Sequence, residues 1–203
     1  EGIYHMSTSK EVFNKDLAIK LAKLSEKCYG SLTFKIGENG FLIEEDEENI
    51  YIVFPGSDQF VDWVADIKFI KVERAGLGKL HNGFADLWDG IKRELLRLLR
   101  DKEMKNIILT GHSMGGALAS IAALHLCNLG FKIKVVYTFG SPRFGDSKFE
   151  HNFSKSGIQY FRVKNGNDLV TGNPDWGFYH VGKEVHINRR GWCSWLHTRP
   201  LDH

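Results

Sequence analysis

The sequence predicts an α/β fold, a mostly parallel sheet with helices on both faces. Two observations carry that expectation. Short runs rich in Ile, Val and Phe alternate with segments of helical periodicity, and strand–helix–strand alternation is the pattern of a parallel sheet, whose strands need long crossovers. The second is a Gly-x-Ser-x-Gly segment, Gly111 to Gly115, set between an apolar strand-like run and an alanine-rich helical one. The 203 residues fit one domain, 1–203, with no repeat and no Pro/Ser-rich linker to mark a boundary.

Thr8 and Glu11 stand at capping-box spacing, and Phe13, Leu17, Leu21, Leu24 and Cys28 follow at helical intervals. An amphipathic helix is expected there, closed near Gly30. Leu32–Ile36, Phe41–Ile43 and Ile50–Phe54 read as short strands. The acidic run Glu44 to Glu48 between the last two reads as a solvated hairpin tip, with a metal or partner site as the other reading. Leu87, Ile91, Leu95 and Leu98 form a second helical stripe, with Lys92, Arg93, Arg97 and Arg100 on its wet side. Ile107–Thr110 reads as a buried strand, and Met114 to Asn128 as a helix with Gly130 beyond its end. Ile133–Phe139 and Ile158–Val163 are two more strands, with a helical segment over Asp146–Lys155 between them.

Composition narrows the function. Hydrophobic residues are 42% and charged residues 26%, which fits a soluble globular protein and excludes a disordered tail, a collagen-like repeat and a coiled coil. Lys+Arg is 27 against Asp+Glu 25, a net +2, so no basic field points to nucleic acid. The longest apolar stretch, Gly115 to Cys127, is too short to be a transmembrane segment and contains His125. Cys28, Cys127 and Cys193 are far apart with no CxxC pair. They read as buried thiols, or as one disulfide and a free thiol, and supply no metal site. No basic-then-apolar pattern opens the sequence, and neither compartment nor oligomeric state is assigned.

Gly111-His112-Ser113-Met114-Gly115 carries the chemistry. A nucleophile on a sharp strand-to-helix turn has neighbours two positions away that crowd each other, and glycine at 111 and 115 removes the clashing side chains. Ser113 Oγ would stand at the carboxyl end of the strand. The Met114 amide would point at the same spot from a helix N-terminus, where developing negative charge is favoured. The plain alternative is a tight packing turn with a solvent-facing serine. An activated serine needs a base and an acid to hold it, and in α/β-hydrolase sheets the chain order is Ser, Asp or Glu, His. Asp168, in the turn-rich run from Lys164, follows a later strand and is the candidate acid; a turn-forming Asp reads equally well. Asp146 and Asp175 are competitors.

With these residues in place, the chain resembles the class 3 lipases, the fungal-type triacylglycerol lipase family of α/β-hydrolases. Five segments carry the resemblance in family order. They are Phe54-Pro55-Gly56-Ser57 with Asp62, Trp63 and Asp66; Leu80-His81-Asn82-Gly83-Phe84; and Gly111 to Ala119. The last two are Thr138 to Asp146, and Asn167-Asp168-Leu169-Val170 followed by Gly177 to Glu184. The resemblance implies Ser113 as nucleophile, Asp168 as triad acid and a lipid ester as substrate, with no metal or organic cofactor. It implies Ser57 as an oxyanion-hole residue beside the Met114 amide, and Asp58 to Ile70 as a lid. Phe60, Val61, Trp63, Val64, Ile67, Phe69 and Ile70 suit that stretch to a lipid surface, although a buried amphipathic helix has the same pattern. Pro55 departs from the family, which usually carries arginine there.

The base comes from the C-terminus in this family. Leu201-Asp202-His203 resembles its short Asp-His segment, so His203 is the candidate, with His197 the alternative. By the same resemblance His81 and His180 are structural, and His112 is the variable elbow position. His125, among alanines and leucines, reads as a satisfied core histidine.

Overall fold

The computed structural model describes residues 12–37, 39–57, 70–100, 102, 105–165 and 177–187. Chain order is α1 (Lys15–Lys27), β1 (Phe34–Ile36), β2 (Asn39–Glu45), β3 (Asn49–Phe54), β4 (Lys71–Arg74) and β5 (Gly78–His81). Then come α2 (Asn82–Arg100), β6 (Asn106–His112), α3 (Met114–Asn128), β7 (Ile133–Phe139), α4 (Ser147–Lys155), β8 (Tyr160–Asn165) and β9 (Lys183–Ile187).

Seven strands form one sheet in the order β1-β2-β3-β6-β7-β8-β9, and β4 and β5 make a separate hairpin. β1, β2 and β3 pair antiparallel; β3, β6, β7, β8 and β9 run parallel. The parallel strands are apolar on both faces because helices cover both. Ile50, Ile52, Phe54, Ile107 and Leu109 face the core shared with α2, α3 and α4. Tyr51, Val53 and Ile108, the alternate positions, pack under α1 with Tyr137 and Phe139. The expected α/β fold is the one observed.

Several elements differ in extent from the periodicity reading. Phe13 precedes α1, and Asn14 caps it, its side chain accepting from Leu17 N at 3.0 Å; the Thr8–Glu11 box lies outside the described residues. The buried stripe of α2 is Phe84, Trp88, Ile91, Leu95 and Leu99, while Leu87 and Leu98 sit at its half-buried margins. An apolar stripe wider than one residue per turn admits either register, and packing selects the one facing α3. β4, β5 and β9 carry no apolar run: β4 alternates exposed and half-buried residues, β9 does so from Glu184 on, and β5 buries Gly78, Leu80 and His81 around an exposed Lys79.

The acidic tip between β2 and β3 is a turn knotted by Asp46. Its Oδ1 accepts from Glu48 N at 3.1 Å and Asn49 N at 2.9 Å, and Tyr51 donates to Oδ2 at 2.6 Å. The Tyr51 hydrogen bond is the first reason that carboxyl stays below the usual carboxylate range. Cys28 is a buried free thiol donating to Val53 O at 3.3 Å, and burial pushes its pKa to about 12. Cys127 is half-buried and also free, and Cys193 lies outside the described residues. Among the described residues no helix is long and apolar enough to cross a membrane.

Candidate active site

β6 ends at His112 and α3 begins at Met114, so Ser113 alone makes the turn. Its backbone sits at φ 52, ψ −123, and among the described residues it is the single non-glycine residue at positive φ. Such a conformation costs about 1–3 kcal/mol and persists where surrounding structure enforces it. Here Ser113 N donates to Phe139 O at 2.8 Å and Ser113 O accepts from Gly116 N at 2.9 Å, tying the turn to β7 and to α3. At a helix N-cap a serine hydroxyl ordinarily accepts from the first turn. Ser113 makes no such bond, which leaves its Oγ for chemistry, on a residue that is 9% exposed.

The glycines do what the sequence demands of them. A Cβ on Gly111 would strike the carbonyl group of Gly115 and lie 2.8 Å from Gly116 N. A Cβ on Gly115 would strike the Phe54 carbonyl and lie 2.7 Å from Pro55 O. α3 is therefore pressed against the end of β3, where the last ladder pair is Phe54 with Gly111. That approach brings the Pro55–Ser57 turn to the elbow, with Pro55 and Gly56 buried and Ser57 half-buried. Pro55 falls after the ladder ends, so its missing amide removes no strand bond.

Met114 opens α3, whose first-turn amides have no intrahelical acceptors. The helix is buried on every side, and its positive end is thereby kept in a low-dielectric setting beside Ser113. A polar knot braces this turn from behind. Ser120 Oγ donates to Gly116 O at 2.8 Å and shares a bond with Tyr160 Oη at 2.9 Å; Tyr160 Oη meets Thr138 Oγ1 at 2.8 Å. Burial raises the Tyr160 pKa, so the phenol stays neutral.

The other polar candidates separate cleanly. Asp146 is spent as the cap of α4, its Oδ1 accepting from Phe149 N at 2.9 Å and Lys79 N at 3.1 Å. His81 is buried between Phe84 and Phe178, accepts from Gly83 N at 3.2 Å, and is held below its ordinary pKa by burial. His125 accepts from Trp88 Nε1 at 3.1 Å, and burial likewise lowers its pKa. Packing and local hydrogen bonds hold both rings, and His180 is half-buried. Asp168, His203, His197 and Asp175 lie outside the described residues, as do residues 58–69 of the lid segment. β8 runs parallel to β7 and β6, so its carboxyl end lies at the same end of the sheet as the β6–α3 turn that carries Ser113. Sequence reasoning missed Tyr29, whose hydroxyl lies 3.0 Å from His112 Nδ1; no local pattern marks a tyrosine just past a helix end.

The class 3 lipase profile, Lipase (class 3), matches residues 51–178, well over half of the chain and inclusive of every part of the elbow. The chain belongs to the class 3 lipase family. The lipase of Rhizomucor miehei is 36% identical over 155 residues, covering 70% of this chain and 43% of that one. Phospholipase A1-Igamma1, chloroplastic, of Arabidopsis thaliana is 27% identical over 196 residues, covering 76% of this chain and 38% of its own. A solved triacylglycerol lipase whose catalytic centre is formed by a serine protease triad is 31% identical with a TM-score of 0.65, covering 74% of this chain and 62% of that one. This class 3 lipase chain spans less than half the length of the two sequence relatives.

Proposed function

We propose that this class 3 lipase domain, taken as one unit over 1–203, is a serine carboxylic-ester hydrolase acting on lipid esters. The observation that carries it is Ser113: a strained elbow residue, with its hydroxyl unspent, at the start of a buried helix. In this reading Ser113 Oγ attacks the acyl carbonyl while a histidine takes its proton. Asp168 holds that histidine's tautomer and supports the imidazolium. The Ser57 and Met114 amides donate to the tetrahedral oxyanion. The protonated histidine then gives its proton to the leaving alcohol, and water releases the acyl group by the same steps in reverse order. His203 is the proposed base, with His197 as the alternative. No metal or organic cofactor enters this scheme. The family's lipases and phospholipase A1 support an acylglycerol or phospholipid ester as substrate, and the triad of the solved relative supports the division of roles. The apolar 58–70 segment supports action at a lipid–water surface.

The test is hydrolysis of p-nitrophenyl esters from acetyl to palmitoyl by the parent, Ser113→Ala, Asp168→Asn and His203→Ala. Loss of turnover in all three variants supports the triad. An active His203→Ala moves the base to His197. Turnover diverted to an added alcohol marks an acyltransferase with the same triad. A parent that binds lipid vesicles and turns over no ester refutes the hydrolase and leaves a lipid-binding module on this fold.

A further inference from the structure

Tyr29 follows Cys28, the C-cap of α1, and its amide donates to Glu26 O at 3.2 Å. Its hydroxyl lies 3.0 Å from His112 Nδ1, the residue before the nucleophile. The same hydroxyl occupies the place where a Cβ on Gly56 would stand, and that Cβ would also lie 3.0 Å from His112 O. One phenol therefore touches both the end of β6 and the turn that delivers Ser57. The β3–β6 ladder stops at Phe54 with Gly111. Past that pair, the distance between Ser57 and Ser113 is set by what Pro55 and Gly56 rest on. Gly115 holds the turn from the helix side through the Phe54 and Pro55 carbonyls. Tyr29 holds it from the α1 side.

We propose that Tyr29 is a positioning residue for ester hydrolysis. Its hydroxyl, bonded to His112 Nδ1 and seated against Gly56, fixes the Ser57-bearing turn at the separation from Ser113 that a shared oxyanion demands. This rests on the hydrolase reading of Ser113 and Ser57. Oxyanion donors act only within about 2.7–3.1 Å of the oxyanion, so a turn displaced by a few tenths of an ångström weakens transition-state binding more than substrate binding. The requirement for glycine at 56 follows from the same contact, because any side chain there would evict the hydroxyl.

Tyr29→Phe keeps the ring, which sits 6.5 Å from the His112 ring between centroids, and removes the bridge. With p-nitrophenyl butyrate, its kcat is expected to fall about tenfold with KM within about twofold. The Ki of an alkyl trifluoromethyl ketone, which takes Ser113 Oγ onto its carbonyl carbon and leaves an oxyanion, rises by the same factor. The thermal midpoint stays at the parental value. His112→Asn, whose amide oxygen can accept near the place of Nδ1, retains most activity; His112→Leu matches Tyr29→Phe, and the double variant is no worse than either. Parental kcat in Tyr29→Phe, beside an active and Ser113-dependent parent, overturns the proposal while the hydrolase reading stands. A kcat loss that tracks loss of thermal stability, with ketone affinity unchanged, overturns it as well. A parent inactive on every ester refutes the hydrolase reading itself, and this role falls with it.

Discussion

Replacing Gly115 by Ala sets two opposed terms against each other. A glycine in a helix interior is about 1 kcal/mol less favourable than alanine, and Gly115 stands in the first turn of α3, so substitution alone stabilises the helix by less than that amount. Against it, the new Cβ would overlap the Phe54 carbonyl and lie 2.7 Å from Pro55 O, where ordinary contact begins at 3.4 Å. Both obstacles are backbone and the Phe54 carbonyl is the nearer, so α3 and the end of β3 must part by about 1 Å or more. Overpacking costs about 1–3 kcal/mol, and a clash with backbone belongs at the upper end. The net expectation is a loss of about 2 kcal/mol, or a fall of about 4–8 °C in thermal midpoint for a chain of this size. Gly90 is the internal control. It lies on the exposed side of α2 with nothing within 4 Å of a built Cβ, so Gly90→Ala gains about 0.5–1 kcal/mol. Urea unfolding followed by circular dichroism, at constant m, measures both. Alanines that shift stability in the same direction, or a Gly115→Ala protein as stable as the parent, would refute the crowding argument.

Ser113→Gly abolishes ester turnover and raises stability by about 1 kcal/mol, because glycine adopts φ 52 without strain; a variant less stable than the parent in the same urea experiment contradicts this. Asp46→Asn removes a carboxylate that Tyr51, first among its partners, holds below its ordinary pKa. The stabilisation from such a group is complete above the unfolded value near 4 and disappears as pH falls through the lower folded value. Asp46→Asn is therefore less stable than the parent at pH 7, and the gap closes below about pH 4. Midpoints measured from pH 3 to pH 7 check it, and a gap that does not change with pH rejects it.

Much of the chain's architecture was legible locally. The apolar runs bound α3 and β7 to the residue, with Gly130 beyond the end of α3, and the strand–turn–helix around Ser113 follows from two glycines and a serine. The misses share a cause. The β4–β5 hairpin and β9 hide because they are short and set single apolar residues among charged ones, so no apolar run stands out. On α2 the spacing gives Ile91 and Leu95 correctly and misplaces the stripe's ends, because both Leu87/Leu98 and Trp88/Leu99 obey helical spacing and the partner α3 decides between them.

Sequence by itself determined the fold class, the strand-to-helix turn at Ser113 and the need for glycine at 111 and 115, because backbone conformation at a turn is encoded by the residues that make it. Tertiary structure decided which distant residues serve that turn. Sheet register places Phe54 beside Gly111, and so presses Gly115 onto Phe54 and Pro55. The packing of α1 over the sheet carries Tyr29 to His112, 83 positions away. It spends Asp146 on capping α4 and Trp88 on His125. Such contacts join residues whose separation along the chain carries no pattern, and only the closing of the sheet under its helices brings them within reach.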